Sequence, residues 1–243
     1  MARLPRLTLP GLPHYVLQRG NNLQDIFVDG QDYGQMRDLI REMARRFQVD
    51  VHAYALLPNQ QHLLVTPQQA ESLPQFMQSI GRSYVRYFNN RHGRSGTLWE
   101  GRYRATVLDA QSFLLPCMVV VESQPLVQGL VVRPQDYAWS SCAHHVGLQH
   151  DSLVRDHAQF WAMANTPFER EAAYQRVVEQ GVSQQQAEQI LSAAAKGWAL
   201  GPEGFVTQLQ QKTERRLTRQ RAGRPVRSSE DPHCARADIT SGK

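Results

Sequence analysis

The chain has 243 residues, 41% of them hydrophobic, and carries 27 Lys and Arg against 22 Asp and Glu, a net charge of +5 with a pI near 9.3. That length suits one large domain or a domain with an appendage. Cys117, Cys142 and Cys234 lack CxxC spacing, which leaves no basis for a disulfide framework or a zinc knuckle and fits a reducing cytoplasm; no run approaches the roughly twenty apolar residues of a membrane span. The basic residues are nearly all arginine, the lysines being Lys196, Lys212 and Lys243. Guanidinium suits bidentate phosphate recognition, so the composition implies either a nucleic-acid partner or a solvated arginine-rich surface. Met1 to Pro13 is too short and interrupted for a signal peptide.

His14 to Gly20 is β-rich and ends on glycine, which predicts a first strand with Arg19 where strand meets loop. Met36, Leu39, Ile40, Met43 and Phe47 recur at helical spacing, predicting a helix over Asp32 to Phe47 with Asp32 as its N-cap. Val49 to Leu57 reads as a second strand, His52 and Tyr54 on one face and Val51, Ala53 and Ala55 on the other, and His62 to Thr66 as a third. Ser72 to Arg91 reads as a helix whose buried stripe includes Phe76, Ile80, Tyr84 and Tyr87, with Arg82, Arg86 and Arg91 off that stripe.

Gly93 to Arg104 is a loop rich in glycine, arginine and aromatics, carrying Arg94, Trp99, Arg102, Tyr103 and Arg104, and it leads into a strand over Ala105 to Leu108. Arginine interleaved with aromatics suits a single-strand nucleic-acid groove, where charge tracks phosphates and rings stack on bases; the alternative is an ordinary loop pinned by a buried tryptophan. Asp109 caps a helix from Gln111 to about Glu122 in which Pro116 removes a backbone donor and Val119-Val120-Val121 fits poorly. Pro134 to Ser141 is a turn into a short helix.

Gln60 and His62 stand two apart, so on an extended segment both could face one divalent cation. The alternative is a strand-end histidine beside solvated glutamines.

Taken in order, His14 to Asn22, Leu57 to Val65, Gly96 to Tyr103, Pro125 to Val131 and Asp136 to Ser141 resemble the REP-associated tyrosine transposases, which belong to the single-tyrosine HUH transposases of bacterial insertion sequences. The resemblance spans roughly Leu12 to Gly147. It implies an α/β (α+β) fold with a central antiparallel sheet and packed helices, often dimeric, that binds hairpins in single-stranded DNA. In that family a His-hydrophobic-His strand motif holds a metal ion and a helix tyrosine attacks the phosphodiester. Here the first metal histidine falls on Gln60, the middle position on Gln61, and only His62 remains; the tyrosine position, five residues before Pro125, is Val120, which cannot be a nucleophile. A further ligand one turn later falls on Gln124. Gln60, His62 and Gln124 then form either a weak site for Mg²⁺ or Mn²⁺ or an empty one.

Beyond Gly147 the composition shifts. We expect a short helix over Asp156 to Ala164, a helix from Thr166 as N-cap to Gln180 with Glu169 completing a capping box, one from Ser183 to Ala195 closed by Gly197, and a last one over Gly204 to Thr218. The division expected is a transposase-like domain over 12–147, an all-helical C-terminal appendage over 148–218 that packs on the sheet domain or a dimer partner, and a basic then polar tail over 219–243. Arg215, Arg216, Arg219, Arg221, Arg224 and Arg227 make a phosphate-binding arm, and Gly223-Arg224-Pro225 resembles a minor-groove hook.

The expected DNA contacts are Arg19, Arg82, Arg86, Arg94, Trp99, Arg102, Tyr103, Arg104, Arg215, Arg216 and Arg224. The expected partner is a REP-like hairpin or single strand, and the expected location the cytoplasm, at the nucleoid. One reading is a binder of structured single-stranded DNA that has lost its chemistry; the other is an active transposase or endonuclease using a relocated tyrosine, Tyr84, Tyr87, Tyr103 or Tyr137. A third is a dimeric scaffold without DNA, against which the basic tail argues.

Overall fold

The computed structural model describes residues 7–218. Four strands form one antiparallel sheet in the order β2-β3-β1-β4: β1 is His14–Arg19, β2 Val49–Leu57, β3 Gln60–Pro67 and β4 Arg104–Val107. Strand alternation sends one set of side chains to each face, so the sheet has a hydrophobic core on both sides.

The first face is covered by α1 (Gly30–Arg46) and α2 (Ser72–Arg91), with Val16, Tyr54, Leu56, Leu63 and Val65 packing against Met36, Ile40, Phe76, Ile80 and Tyr84. The cap of α1 is Asp29, not Asp32: its carboxylate accepts the backbone N–H of Gln31 and Asp32. Asp32 lies within the first turn, fully buried, where it accepts from Val28 N and pairs with Arg91 at 2.5 Å and His92 at 3.0 Å. The expected alternation in β2 fails at its start. A register shift between Val51 and Ala53 puts Val51 on the face of Tyr54 while Ala53 and Ala55 keep the other. The third strand starts at Gln60, two residues before the expected His62, because Gln60 pairs with Leu57 and with Arg19.

The second face is covered by α3 (Ala110–Glu122), α5 (Cys142–His145), α6 (Ala158–Trp161), α7 (Pro167–Gln180) and α8 (Gln184–Lys196), after the short α4 (Gln124–Val127). Asp109 caps α3 as expected, accepting Ser112 N at 2.9 Å. Pro116 sits inside an unbroken helix, and the valine run is helical because burial decides it: Val119, Val120 and Val121 are all in the core that α3 shares with β2, β3, α6 and α8. Tyr174, Val178, Ile190 and Ala194 belong to the same core as Tyr15, Leu64 and Val120. The change of composition at Gly147 is therefore no boundary in packing; the C-terminal helices close the second face of the sheet.

Two other boundaries shift. The helix expected over Asp156 to Ala164 is the single turn α6, capped by His157 Nδ1, which accepts Gln159 N. The last helix, α9, runs Glu203–Gln211 and stops well before Thr218. There the Gln210 carboxamide donates to the carbonyls of Thr213 and Arg215 and accepts Leu217 N, turning the chain back so that Leu217 is buried against Val107 and Leu209. Thr166 caps α7, but the Glu169 carboxylate accepts the Thr166 hydroxyl instead of its backbone N–H.

Candidate nucleic-acid interface

The end of β1 carries the chain into a tight turn at Gly20, where a Cβ would collide with the Gln24 carbonyl oxygen. Backbone bonds from Glu100 N to Arg19 O and from Asn21 N to Leu98 O tie the glycine-rich loop to that turn. The loop is thus laid across the first face beside α2. Trp99, 9% exposed, donates its indole N–H to the Gly81 carbonyl at 3.4 Å.

Between loop and helix lies a cavity of about 700 Å³. Its walls are Met77, Val85, Trp99 and Tyr103, with Gln18 of β1 also lining it and Arg82, Arg86 and Arg102 around it. All three arginines are exposed. One turn of α2 separates Arg82 from Arg86, so both guanidinium groups leave the helix on one side. Apolar and aromatic walls ringed by cations suit a ligand with a flat, weakly polar part and an anionic part, which is the chemistry of a nucleotide.

The other residues singled out in the sequence are placed differently. Arg94 donates to Gln24 Oε1 at 3.0 Å and lies over the Phe88 ring, bracing the loop. Arg104 is 3.6 Å from Glu100 across an exposed pair, and Arg19, with Arg102 and Arg104, lines a small adjoining cleft. Arg215 is far along the chain, half-buried, and donates to the Gly197 carbonyl at 2.7 Å; burial lowers its pKa. Arg216 follows it beyond α9. Arg224 and the tripeptide around it lie outside the described residues, as do Arg219, Arg221 and Arg227.

The positions expected for cutting chemistry are on the second face. Val120 is 3% exposed, in the middle of α3. His62 is buried; its Nδ1 is 2.5 Å from the Tyr15 hydroxyl and its Nε2 has no hydrogen-bond partner. Burial first, and then the charge of Arg19, holds its pKa down to about 3, so the ring is neutral. Gln124 is buried and spends its amide N–H on the Val120 carbonyl at 3.0 Å, and Gln60 is half-exposed at the start of β3. Among the described residues, the His, Cys, Asp and Glu ligand atoms close enough to share an ion belong to His144, His145 and Asp156, not to any set containing His62.

The tyrosines considered as relocated nucleophiles are mostly committed to the fold. Tyr84 donates to Ile26 O and Tyr137 to Leu56 O, and burial raises both pKa values well above the ordinary range. Burial also raises Tyr87. Tyr103, in the cavity wall, is 7% exposed.

The sequence reading missed the partner of the cavity-lining Gln18. Gln61 Nε2 donates to Gln18 Oε1 at 3.0 Å, the two being direct register partners in β3 and β1. The available signal was that both interrupt apolar runs, one in each strand. It also missed His144, His145 and Asp156, whose adjacent histidines were visible but unassigned.

Residues 14–115 match the model of the family described as Transposase IS200 like. A solved structure of a REP-associated tyrosine transposase bound to a REP hairpin superposes with a TM-score of 0.50 at 15% identity, covering 65% of this chain and 99% of that one. A candidate transposase from Deinococcus radiodurans R1 aligns with a TM-score of 0.35 at 17% identity over 53% of this chain and 97% of that one. No curated protein matches the sequence.

Proposed function

We propose that this chain, whose residues 14–115 form an IS200-like transposase domain, binds hairpin or single-stranded DNA and does not cut it. The observation that carries the reading is the cavity walled by Trp99 and Tyr103 and ringed by Arg82, Arg86 and Arg102. Phosphates would lie against the exposed guanidinium groups, and an unpaired base would enter among the apolar walls. The structure that shares this fold was solved with a REP hairpin, which makes that class of DNA the first to try.

Loss of cutting follows from the second face. A phosphotyrosine mechanism needs a nucleophile at Val120 and a cation to polarise the phosphate. Val120 has no nucleophilic atom. Around His62, Gln60 and Gln124 offer only neutral carboxamides, no carboxylate or second imidazole among the described residues completes the set, and the charge of Arg19 is felt at the ring. These donors do not fit a centre for Mg²⁺ or Mn²⁺.

A labelled REP-like hairpin, mixed with the full chain and Mg²⁺ or Mn²⁺, tests both halves on parallel native and denaturing gels. The expected result is a shifted band on the native gel and intact, unattached DNA on the denaturing one. Cleavage or a denaturation-resistant adduct overturns the loss of chemistry; the absence of any shift overturns the binding.

A further inference from the structure

On the second face, three helices and a loop converge on one buried carboxylate. Glu122 of α3 is fully buried. Its Oε2 accepts the Tyr174 hydroxyl at 2.7 Å, and its Oε1 accepts both the Ser141 hydroxyl and His145 Nδ1, the latter at 2.6 Å. A carboxylate accepts only, so His145 Nδ1 carries the ring proton and Nε2 keeps its lone pair. That Nε2 is buried with no hydrogen-bond partner. It faces Asp156 Oδ1 at 3.8 Å. The unpartnered ring nitrogen and the carboxylate oxygen face each other across a gap that a cation would fill.

A third donor stands at the same point. His144 Nε2 is 3.4 Å from Asp156 Oδ1, and the three ligand atoms lie within 4.8 Å of one another. Around a tetrahedral Zn²⁺ with bonds of about 2.0–2.2 Å, ligand atoms stand roughly 3.3–3.6 Å apart, so Asp156 already stands near that spacing from both rings, at 3.4 and 3.8 Å, and the rest of the set closes by about an ångström. A carboxylate that fixes the tautomer of a ligating histidine is the usual outer support of such an ion, and here Glu122 is itself held by Tyr174 and Ser141. His145 is fully buried, whereas His144 and Asp156 are 14% and 19% exposed, which leaves an entry path and room for a water as fourth ligand.

We propose that His144, His145 and Asp156 form a transition-metal site, suited to Zn²⁺, with Glu122 as its supporting carboxylate. It shares no residue with the Gln60, His62 and Gln124 set and does not depend on the DNA-binding reading. His144 Nδ1 accepts the Asp151 N–H at 3.2 Å, so without metal its Nε2 holds the proton. On loading, that proton moves to Nδ1 and the Asp151 bond opens. Arg170, buried nearby and stacked on Trp161 at 3.9 Å, sets the local charge against that of Glu122 and Asp156. The ligands come from α5 and from the stretch before α6, and the support from α3 and α7, so the ion would clip the strand-bearing part of the chain to its C-terminal helices.

The test uses the full chain, stripped with chelator and titrated with zinc chloride, read by elemental analysis and by thermal melting. The wild type should retain one zinc per chain after desalting and melt several degrees higher with zinc than without. Asp156→Asn and His144→Ala, both at partly exposed positions, should match the stripped wild type in melting and bind zinc at least tenfold more weakly. No stoichiometric zinc, with an unchanged melting temperature, would mean that a proton fills the gap and the proposal is wrong. Zinc retained equally by both variants would place the ion elsewhere and also overturn it.

Discussion

The cavity on the first face of the sheet and the core around Glu122 on the second use polar side chains in opposite ways. Around the first-face cavity, Arg82, Arg86 and Arg102 are exposed, and the lining Gln18 accepts from Gln61. On the second face the polar groups are turned inward. Ser141, His145 Nδ1 and Tyr174 all donate to Glu122 in a fully covered core, and Val120 is an aliphatic side chain of the same core. An outward charge costs little fold stability and is available to a ligand, whereas an inward one is committed to the fold. Substitutions on the two faces should therefore separate binding from stability.

The largest effect is expected at Glu122. Glu122→Ala strands donors from Ser141, His145 and Tyr174 in the core and should cost about 3 kcal/mol or more in urea unfolding, while the folded fraction keeps its DNA affinity. A variant as stable as the parent would mean that the second face is not held together in this way. Next comes the first face. Replacing Arg82, Arg86 and Arg102 together by alanine should weaken hairpin binding roughly 10- to 100-fold and reduce the slope of log affinity against log salt by about 2, with melting unchanged. Fluorescence anisotropy at several salt concentrations measures this, and an unaltered slope would place the phosphates elsewhere.

Val120→Tyr sharpens the contrast from the other side. A phenol ring forced into the packed interior of α3 should destabilise the protein by about 1–3 kcal/mol and yield no covalent DNA adduct on a denaturing gel. An adduct would show that this face opens to DNA. The smallest effect is a pH dependence shared by the sheet. Burial, opposed by a backbone bond to Leu12 in one and to Arg155 in the other, lowers His14 and His52 from 6.5 to about 4. The unfolded chain then binds more protons than the folded one between those values. The stability is complete above about pH 6.5 and falls as the pH drops toward 4. Between about pH 7.5 and pH 6 the loss should be on the order of 1 kcal/mol, seen as a lower urea midpoint; a midpoint that rises on acidification would contradict it.

Much of the scaffold was legible in the residues. Period-two runs in His14 to Arg19 and Val49 to Leu57 gave strands, and the stripe from Leu73 to Phe88 gave α2, because each pattern repeats over enough residues to outweigh local exceptions. The loop carrying Trp99, Arg102 and Tyr103 was marked by its arginines and aromatics, and the fold brings these three side chains to one cavity. The change of composition at Gly147 did not say which face of the sheet the following helices would cover. Tyr174 and Ile190 are core residues of the sheet although they lie far along the chain, and no local pattern encodes which face they cover.

By itself, then, the sequence determined the strand and helix types, the family resemblance, and the aliphatic identity of Val120, because these depend on residue identity and short-range periodicity. Only the tertiary structure decided that Asp29 caps α1 while Asp32 is buried against Arg91, that Pro116 and three valines remain helical, and that Glu122, His145 and Asp156 meet. Those outcomes depend on burial and on distances between residues remote in the chain, where desolvation and packing outweigh local preference.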